Sequence, residues 1–427
     1  MLRSLVSLTL LSLVAMPAAA QNATPDSAAA LAHARKLLHS TLLWDGHNDL
    51  PWEIRTSRAH PRDVAAYDLR QHTSGMTDLP RLAEGGLNAQ FWSIYIPGEI
   101  KDSGFARVQL EQFDIARRMI ERYPDKLELA LTSDDVMKAY HDGKIASLLG
   151  MEGGQAIENS LGALRSYYRL GARYMTLTHN VTLDWADAAL DTAAHGGLTP
   201  FGREVVREMN RLGMLVDLAH VSPGTMSDAL DVSEAPVMFS HSSARAITDV
   251  PRNVPDSILA RLRKNGGIVM ITFVPDFVSQ ARADSTAKWT AEFKASSAGV
   301  TDPAELRRMR REFWSTRRDR LPQATIKDVA DHVEHARDVA GIDHIGLGGD
   351  FDGITDTVVG LDDVSKYPYL FAELIRRGWS DADLKKLAGE NMLRVMREME
   401  AVAHRLQQTR APSTATIGQL DHAEPTS

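Results

Sequence analysis

The feature that most narrows the fold is a repeating alternation: from about Leu31 to Ala403, short apolar runs take turns with amphipathic stretches. That pattern belongs to β-α units, in which buried parallel strands alternate with the helices that cover them. Eight runs qualify as strands: Leu42 to Gly46, Ala89 to Tyr95, Ile145 to Gly150, Tyr174 to Thr178, Leu215 to Leu218, Val237 to Ser240, Ile268 to Phe273 and Ile345 to Gly348. Helix punctuation lies between them. Thr199-Pro200 opens a helix that Gly213 ends, Ser222-Pro223 opens another, and Ser380 with Asp383 forms a capping box. Eight parallel strands predict an α/β fold closed as a (β/α)8 TIM-like barrel, with a doubly wound open sheet as the structural alternative.

Three segments stand outside the alternation. Residues 281–323 follow the seventh strand and are rich in Arg, Lys and Glu, which reads as a charged insertion between strands 7 and 8: a helical lid, an interface element or a solvated excursion. Residues 407–427 are polar with Pro, Thr and Ser, and predict a disordered tail after a single catalytic domain over 31–403. At the other end, Arg3 precedes an apolar run from Leu5 to Ala15, and Ala18-Ala19-Ala20 offers small residues for cleavage, so residues 1–20 predict a secretory signal peptide. About 11 apolar residues fall short of the ~20 that cross a bilayer. The expected product is exported, most simply to a periplasm, with no membrane span after cleavage. The chain has no Cys, so an oxidising compartment leaves its fold untouched. Acidic residues outnumber basic ones 56 to 48 and no Lys/Arg stripe interrupts them, so the expected partner is a small ligand and not a nucleic acid.

Charged groups at the ends of buried strands call for a reason. His47 and Asp49 follow the first strand, Glu152 the third, His179 the fourth, His220 the fifth, His241 the sixth and Asp350 the eighth. In a parallel barrel the C-terminal ends of all strands open on one face, so these groups are expected to converge at one mouth. Imidazoles and carboxylates without a thiolate suit Zn²⁺, with Mn²⁺ or Co²⁺ as substitutes. His47 and Asp49, two residues apart, would point to the same side of an extended segment and grip one ion. Counting ligands favours two metals: His47, Asp49 and Glu152 on one, with Glu152 bridging to a second held by His220 and His241. A shared carboxylate offsets the repulsion of two dications ~3.5–4 Å apart, and a water between them becomes a hydroxide nucleophile near neutral pH.

Competing chemistries lack support. No HExxH helix and no GxSxG elbow occurs. Gly346 to Gly353 fits neither a dinucleotide nor a phosphate loop, and Ile354 and Thr355 spoil it as a calcium loop. His332 and His335, spaced i, i+3, are expected on a helix face; His195, Asp184 and Asp187 are expected in loops. Trp52 and Trp185 read either as pocket walls or as packing.

Seven segments in order carry a resemblance: GHNDLPW (Gly46 to Trp52), GMEGG (Gly150 to Gly154), LTHN (Leu177 to Asn180), VDLAHVS (Val216 to Ser222), FSHSSAR (Phe239 to Arg245), RNVPD (Arg252 to Asp256) and GGDFDG (Gly348 to Gly353). From about Trp44 to Val402 the chain resembles the membrane (renal) dipeptidase family, a branch of the metal-dependent amidohydrolases. The resemblance implies a (β/α)8 barrel with two zincs held by His47, Asp49, His220 and His241 and shared by Glu152. It also implies Asp350 as proton shuttle, His179 on the substrate and its developing oxyanion, and Arg252 on the dipeptide's free carboxylate; Asp352, in the same Gly-rich turn, is the rival to Asp350, which is preferred as the first residue past the strand. Endopeptidase activity is then disfavoured. Lipid anchoring and disulfide-linked dimers, found in animal relatives, do not carry over; a noncovalent homodimer is compatible with the sequence. The rival readings are an amidohydrolase acting on N-acyl amino acids or cyclic amides, and a noncatalytic metal- or peptide-binding barrel.

Overall fold

The structure is a computed structural model that describes residues 25–100 and 104–421. Nine parallel strands form one sheet: β1 Trp44–Asn48, β2 Ala89–Tyr95, β3 Leu127–Leu129, β4 Ile145–Glu152, β5 Ala172–Thr176, β6 Leu215–Asp217, β7 Met238–Ser242, β8 Ile268–Ile271 and β9 Ile345–Leu347. β2 pairs directly with β4, the ladder then runs in order to β9, and β9 returns to β1 through Asp45 and Leu347. Eight strands thereby close into a barrel with helices between them, which excludes the open sheet. All eight expected strands are present with ends shifted by a few residues. The unexpected ninth, β3, lies beside Ile145 to Ser147 of β4, on the edge that β5 takes over from Leu149.

Burial on both faces explains the near-continuous apolar runs. Trp44, Phe91, Leu148, Tyr174, Met238 and Met270 fill the interior, whereas Trp92, Leu149, Met175, Val216, Phe239 and Val269 pack outward under the helices. Successive residues alternate between the two clusters, as a period-two strand requires. On β4 the inner series Ala146, Leu148 and Gly150 ends at Glu152, which the alternation lifts to the mouth. Gly150 has no substitute: a Cβ there would lie 2.0 Å from the Tyr174 ring that crosses the interior. The helix Asn391–Thr409 packs Met392, Val395, Met396 and Met399 against the same interior cluster and closes the opposite end.

Two irregularities of register serve the mouth. The ladder slips between Asp45 and Asn48 of β1 and between Phe239 and Ser242 of β7. Gly46 faces the interior, since its Cβ would meet Met270, and strict alternation would send His47 outward. The slip brings His47 inward instead, where its ring lies 3.9 Å from that of His241. Bulges next to active sites re-aim side chains in this way.

The charged insertion lies between β8 and β9, the seventh and eighth barrel strands, and consists mainly of the helices Gln280–Ser296 and Pro303–Ser315. They meet through Trp289 on Trp314 and Phe293 on Phe313. The tail departs from expectation. Helix Asn391–Thr409 takes in its first residues, and the following strap is tied to the body, because its polar groups complete hydrogen bonds that the barrel helices leave open. Arg165 donates to the Ser413 carbonyl at 2.8 Å, and the Asp421 carboxylate accepts from the Phe201 N–H and the Thr199 hydroxyl at the start of helix Pro200–Leu212. Disorder is therefore the wrong expectation for residues 407–421; residues 422–427 and the expected leader lie outside the described residues. No helix among the described residues is long and apolar enough to cross a membrane.

Candidate metal centre

The barrel brings every predicted ligand to one point. His47 lies in β1, Glu152 ends β4, His241 lies in β7, and His179, His220 and Asp350 each stand three residues beyond a strand. Glu152 is the hub. Its Oε2 lies 3.3 Å from His47 Nε2 and accepts from the Ser93 hydroxyl at 3.0 Å; its Oε1 lies 3.0 Å from His220 Nε2 and 3.7 Å from both His241 Nε2 and His179 Nε2. Asp49 Oδ2 is 3.1 Å and Asp350 Oδ1 3.9 Å from His47 Nε2. Three overlapping groups have the spacing of a metal site: His47 with Glu152 and His241, Glu152 with His179 and His220, and His47 with Asp49 and Asp350.

His47 and Asp49 converge by a route other than the extended segment expected from their spacing. Asp49 has φ −93° and ψ 21° and sits where β1 turns into helix Leu50–Thr56, so the turn aims its carboxylate. Backbone bonds from Asp49 N–H to the Phe351 carbonyl and from Asp350 N–H to the His47 carbonyl stitch the two acidic turns together. Gly353 permits their approach: a Cβ there would lie 2.3 Å from an Asp49 oxygen and 2.4 Å from an Asp350 oxygen. His220, Asp350 and Asp352 all have positive φ, between 61° and 67°. Asp and His enter this left-handed region more readily than most side chains, and here three such residues come together at the mouth.

The donor chemistry fits divalent cations. Ser240 donates its proton to Asp217 at 2.6 Å, so its oxygen accepts from His241 Nδ1–H at 2.9 Å; the Asn180 carbonyl oxygen likewise accepts from His220 Nδ1–H at 3.0 Å. Both Nε2 atoms then carry lone pairs, yet they lie 2.9 Å apart and face Glu152. Lone pairs so arranged repel unless they share a cation. Burial first, and then neighbouring cations including Arg252, hold the pKa of His220 and His241 well below the usual imidazole range, which keeps them neutral ligands. Burial works against an imidazolium at His47, but Tyr174, Glu152 and Asp49 outweigh it and raise its pKa well above normal. The cluster thus calls for positive charge beside its carboxylates. Burial also opposes ionisation of Glu152, and His47 and His220 overcome it, holding that carboxyl well below the usual range.

The cluster floors a cavity of about 430 Å³ whose wall includes Trp52, Tyr95, His179, Arg252, Phe277 and Asp352. Arg252 is 2% exposed; its Nη1 has no protein partner, and its Nη2 lies 3.5 Å from the His241 carbonyl. Burial, with Asp49 and Glu152 adding to it against the pull of His47, raises the Asp350 pKa well above the carboxylate range; burial alone dominates at Asp352, pushed up to about 7. Asp352 accepts the Met76 N–H at 2.6 Å and belongs to none of the three metal-spaced groups.

Other side chains settle elsewhere. Trp52 lines the cavity, whereas Trp185 is fully buried away from it. His332 and His335 are on the helix Ile326–Ala340; His332 accepts the Ala244 N–H and His335 meets Asp256. Asp187 is a buried loop anchor, and Asp184 accepts from Asn159. The sequence reading missed the groups that orient the ligands: Tyr174, whose hydroxyl is 2.8 Å from His47 Nδ1, Ser93, Asn180, Asp217 and Ser240. Asn180, Asp217 and Ser240 stand inside the quoted histidine motifs, Asn180 and Asp217 each in the motif next to that of the histidine it supports, a signal that could have found them.

The family model described as membrane dipeptidase (peptidase family M19) matches residues 31–410. Dipeptidase verJ of Clonostachys rogersoniana is 40% identical over 390 residues, 89% of each chain. The probable dipeptidase PvdM of Pseudomonas aeruginosa has the same fold, with a TM-score of 0.76 at 24% identity over 88% of this chain and 100% of that one. A metallopeptidase of Rhodobacter sphaeroides, solved with a phosphinate mimic of the dipeptide L-Ala-D-Ala, gives 0.69 at 25% identity over 84% and 100%.

Proposed function

The chain belongs to the membrane dipeptidase family, and from that premise we propose that it is a binuclear zinc dipeptidase that hydrolyses the peptide bond of small dipeptides. The observation that carries the reading is Glu152, whose Oε2 lies beside His47 while its Oε1 lies among His220, His241 and His179. In this reading His47, Asp49 and Glu152 hold one ion, and Glu152, His220 and His241 the other. Zinc bound by these residues would supply Lewis acidity, which would polarise the scissile carbonyl and make a water more acidic.

The remaining chemistry belongs to the chain. Arg252 presents its unpaired Nη1 and planar fork to the substrate's C-terminal carboxylate, which sets the length of substrate that fits. His179 is held against Tyr95 and His220, with ring centroids 4.8 and 4.3 Å away, and burial lowers its pKa; a neutral imidazole there donates to the oxygen that becomes an oxyanion. Asp350, whose carboxylate borders the same floor, takes the proton of the attacking water and returns it to the departing amine nitrogen as the C–N bond breaks. Export by the leader over residues 1–20 into a periplasm, and a single catalytic domain over 31–403, belong to the same proposal. A panel of dipeptides assayed before and after chelation tests it: hydrolysis that chelation removes and Zn²⁺ restores is expected. Turnover unaffected by chelation, or none on any dipeptide, contradicts it.

A further inference from the structure

A leucine held out into water at the mouth of a site is surface for a ligand to cover. Among the described residues, the large exposed hydrophobics are Leu110, Leu190 and Val359; Leu190, 52% exposed, stands in the wall of the cavity above Glu152. Its exposure is not that of a loose loop. The Ala189 N–H donates to the His220 carbonyl at 2.7 Å, and Asp191 accepts the Thr182 N–H at 2.9 Å, so both neighbours of Leu190 are tied down. Farther along, the buried Asp187 carboxylate gathers the N–H groups of Ala194, His195 and Gly197.

Leu190 shares the cavity wall with Arg252. The Phe277 ring centroid lies 5.2 Å from the Arg252 guanidinium carbon, and Val274 stands beside it in the same wall. Arg252 reaches toward the His241 carbonyl, His241 touches His220, and His220 holds the Leu190 segment. The other aromatic wall, Trp52 on Tyr95, lies on the His179 side. A carboxylate gripped by Arg252 leaves the side chain on its own α-carbon facing this wall. We infer that Leu190, Val274 and Phe277 form the pocket for the side chain of the C-terminal residue, so that preferred dipeptides end in an apolar residue. This inference rests on the dipeptidase reading and on Arg252 as the carboxylate's partner.

The test measures kcat and KM of the zinc-loaded enzyme for Ala-Leu and Ala-Gly in wild type, Leu190→Ser and Leu190→Met. Leu190 is exposed, so neither variant threatens folding. Wild type is expected to favour Ala-Leu by about tenfold or more in kcat/KM, as a few apolar contacts allow. Leu190→Ser removes most of that preference through KM and leaves Ala-Gly nearly unchanged, while Leu190→Met keeps it. An active enzyme whose Ala-Leu to Ala-Gly ratio is the same in wild type and Leu190→Ser overturns the pocket alone. A wild type that cleaves neither substrate nor any other dipeptide overturns the dipeptidase reading and the pocket with it.

Discussion

Replacing Arg252 with Met removes a charge while keeping an unbranched chain of similar length. The guanidinium is nearly sealed from water, lies over the Phe277 ring and reaches the His241 carbonyl only at a long 3.5 Å, a costly arrangement that a bound carboxylate would repair. Burial pulls its pKa down to about 10, still above any practical assay pH, so the group is cationic when substrate arrives. A hydrogen bond to a charged partner contributes ~1.5–3 kcal/mol. Two such bonds to one carboxylate amount to ~3–6 kcal/mol, or ~10²- to 10⁴-fold in kcat/KM. The assay is a cycle of wild type and Arg252→Met against Ala-Leu and its C-terminal amide. Wild type should strongly favour the acid, and the variant should lose its rate on the acid while changing little on the amide. Because Arg252 also helps keep His220 and His241 neutral, metal content is measured in both proteins. With equal metal, a similar loss on acid and amide refutes the carboxylate role.

Three further outcomes are expected. Asp350→Asn, at a positive φ that Asn tolerates, lowers kcat by ~10²- to 10⁴-fold with metal content and Tm unchanged; retained kcat would move the proton to another group. Burial lowers the His332 pKa to about 4, so between pH ~6.5 and ~4 the unfolded chain binds a proton that the folded chain does not, and stability falls as pH drops through that window. His332→Gln should flatten that part of the Tm–pH curve while lowering Tm at pH 8; an unchanged acid slope would contradict the assignment. Dialysis against a chelator should lower Tm and Zn²⁺ should restore it, since a ligand of the folded state stabilises it; an unmoved Tm would mean that no ion is held.

The fold was legible because buried parallel strands are apolar on both faces, so runs such as Ala89 to Tyr95 announce themselves without any partner in view. β3 escaped because Leu127–Leu129 is short, has Glu128 at its centre, and gains strand geometry only from β4. The histidines and acids at the strand ends could be read as one site because barrel closure dictates where strand ends go. How each side chain reaches the centre could not be read. The slips at His47 and His241 depend on cross-strand register, and Asp49 on a turn stitched to Phe351. Trp52 and Trp185 look alike as residues, and only tertiary packing puts one in the cavity and the other in the core. The tail misled for a related reason: Ser413 and Asp421 read as solvent-loving until helix Pro200–Leu212 and Arg165 are seen to need them.

Anomalous diffraction at the zinc edge, on crystals of the zinc-loaded protein, bears most directly on the claim that separate strand ends meet around a cation pair. Two peaks ~3.5–4 Å apart, one on each side of the Glu152 carboxylate, are the predicted result. A single peak, or peaks that do not share Glu152, would contradict the account.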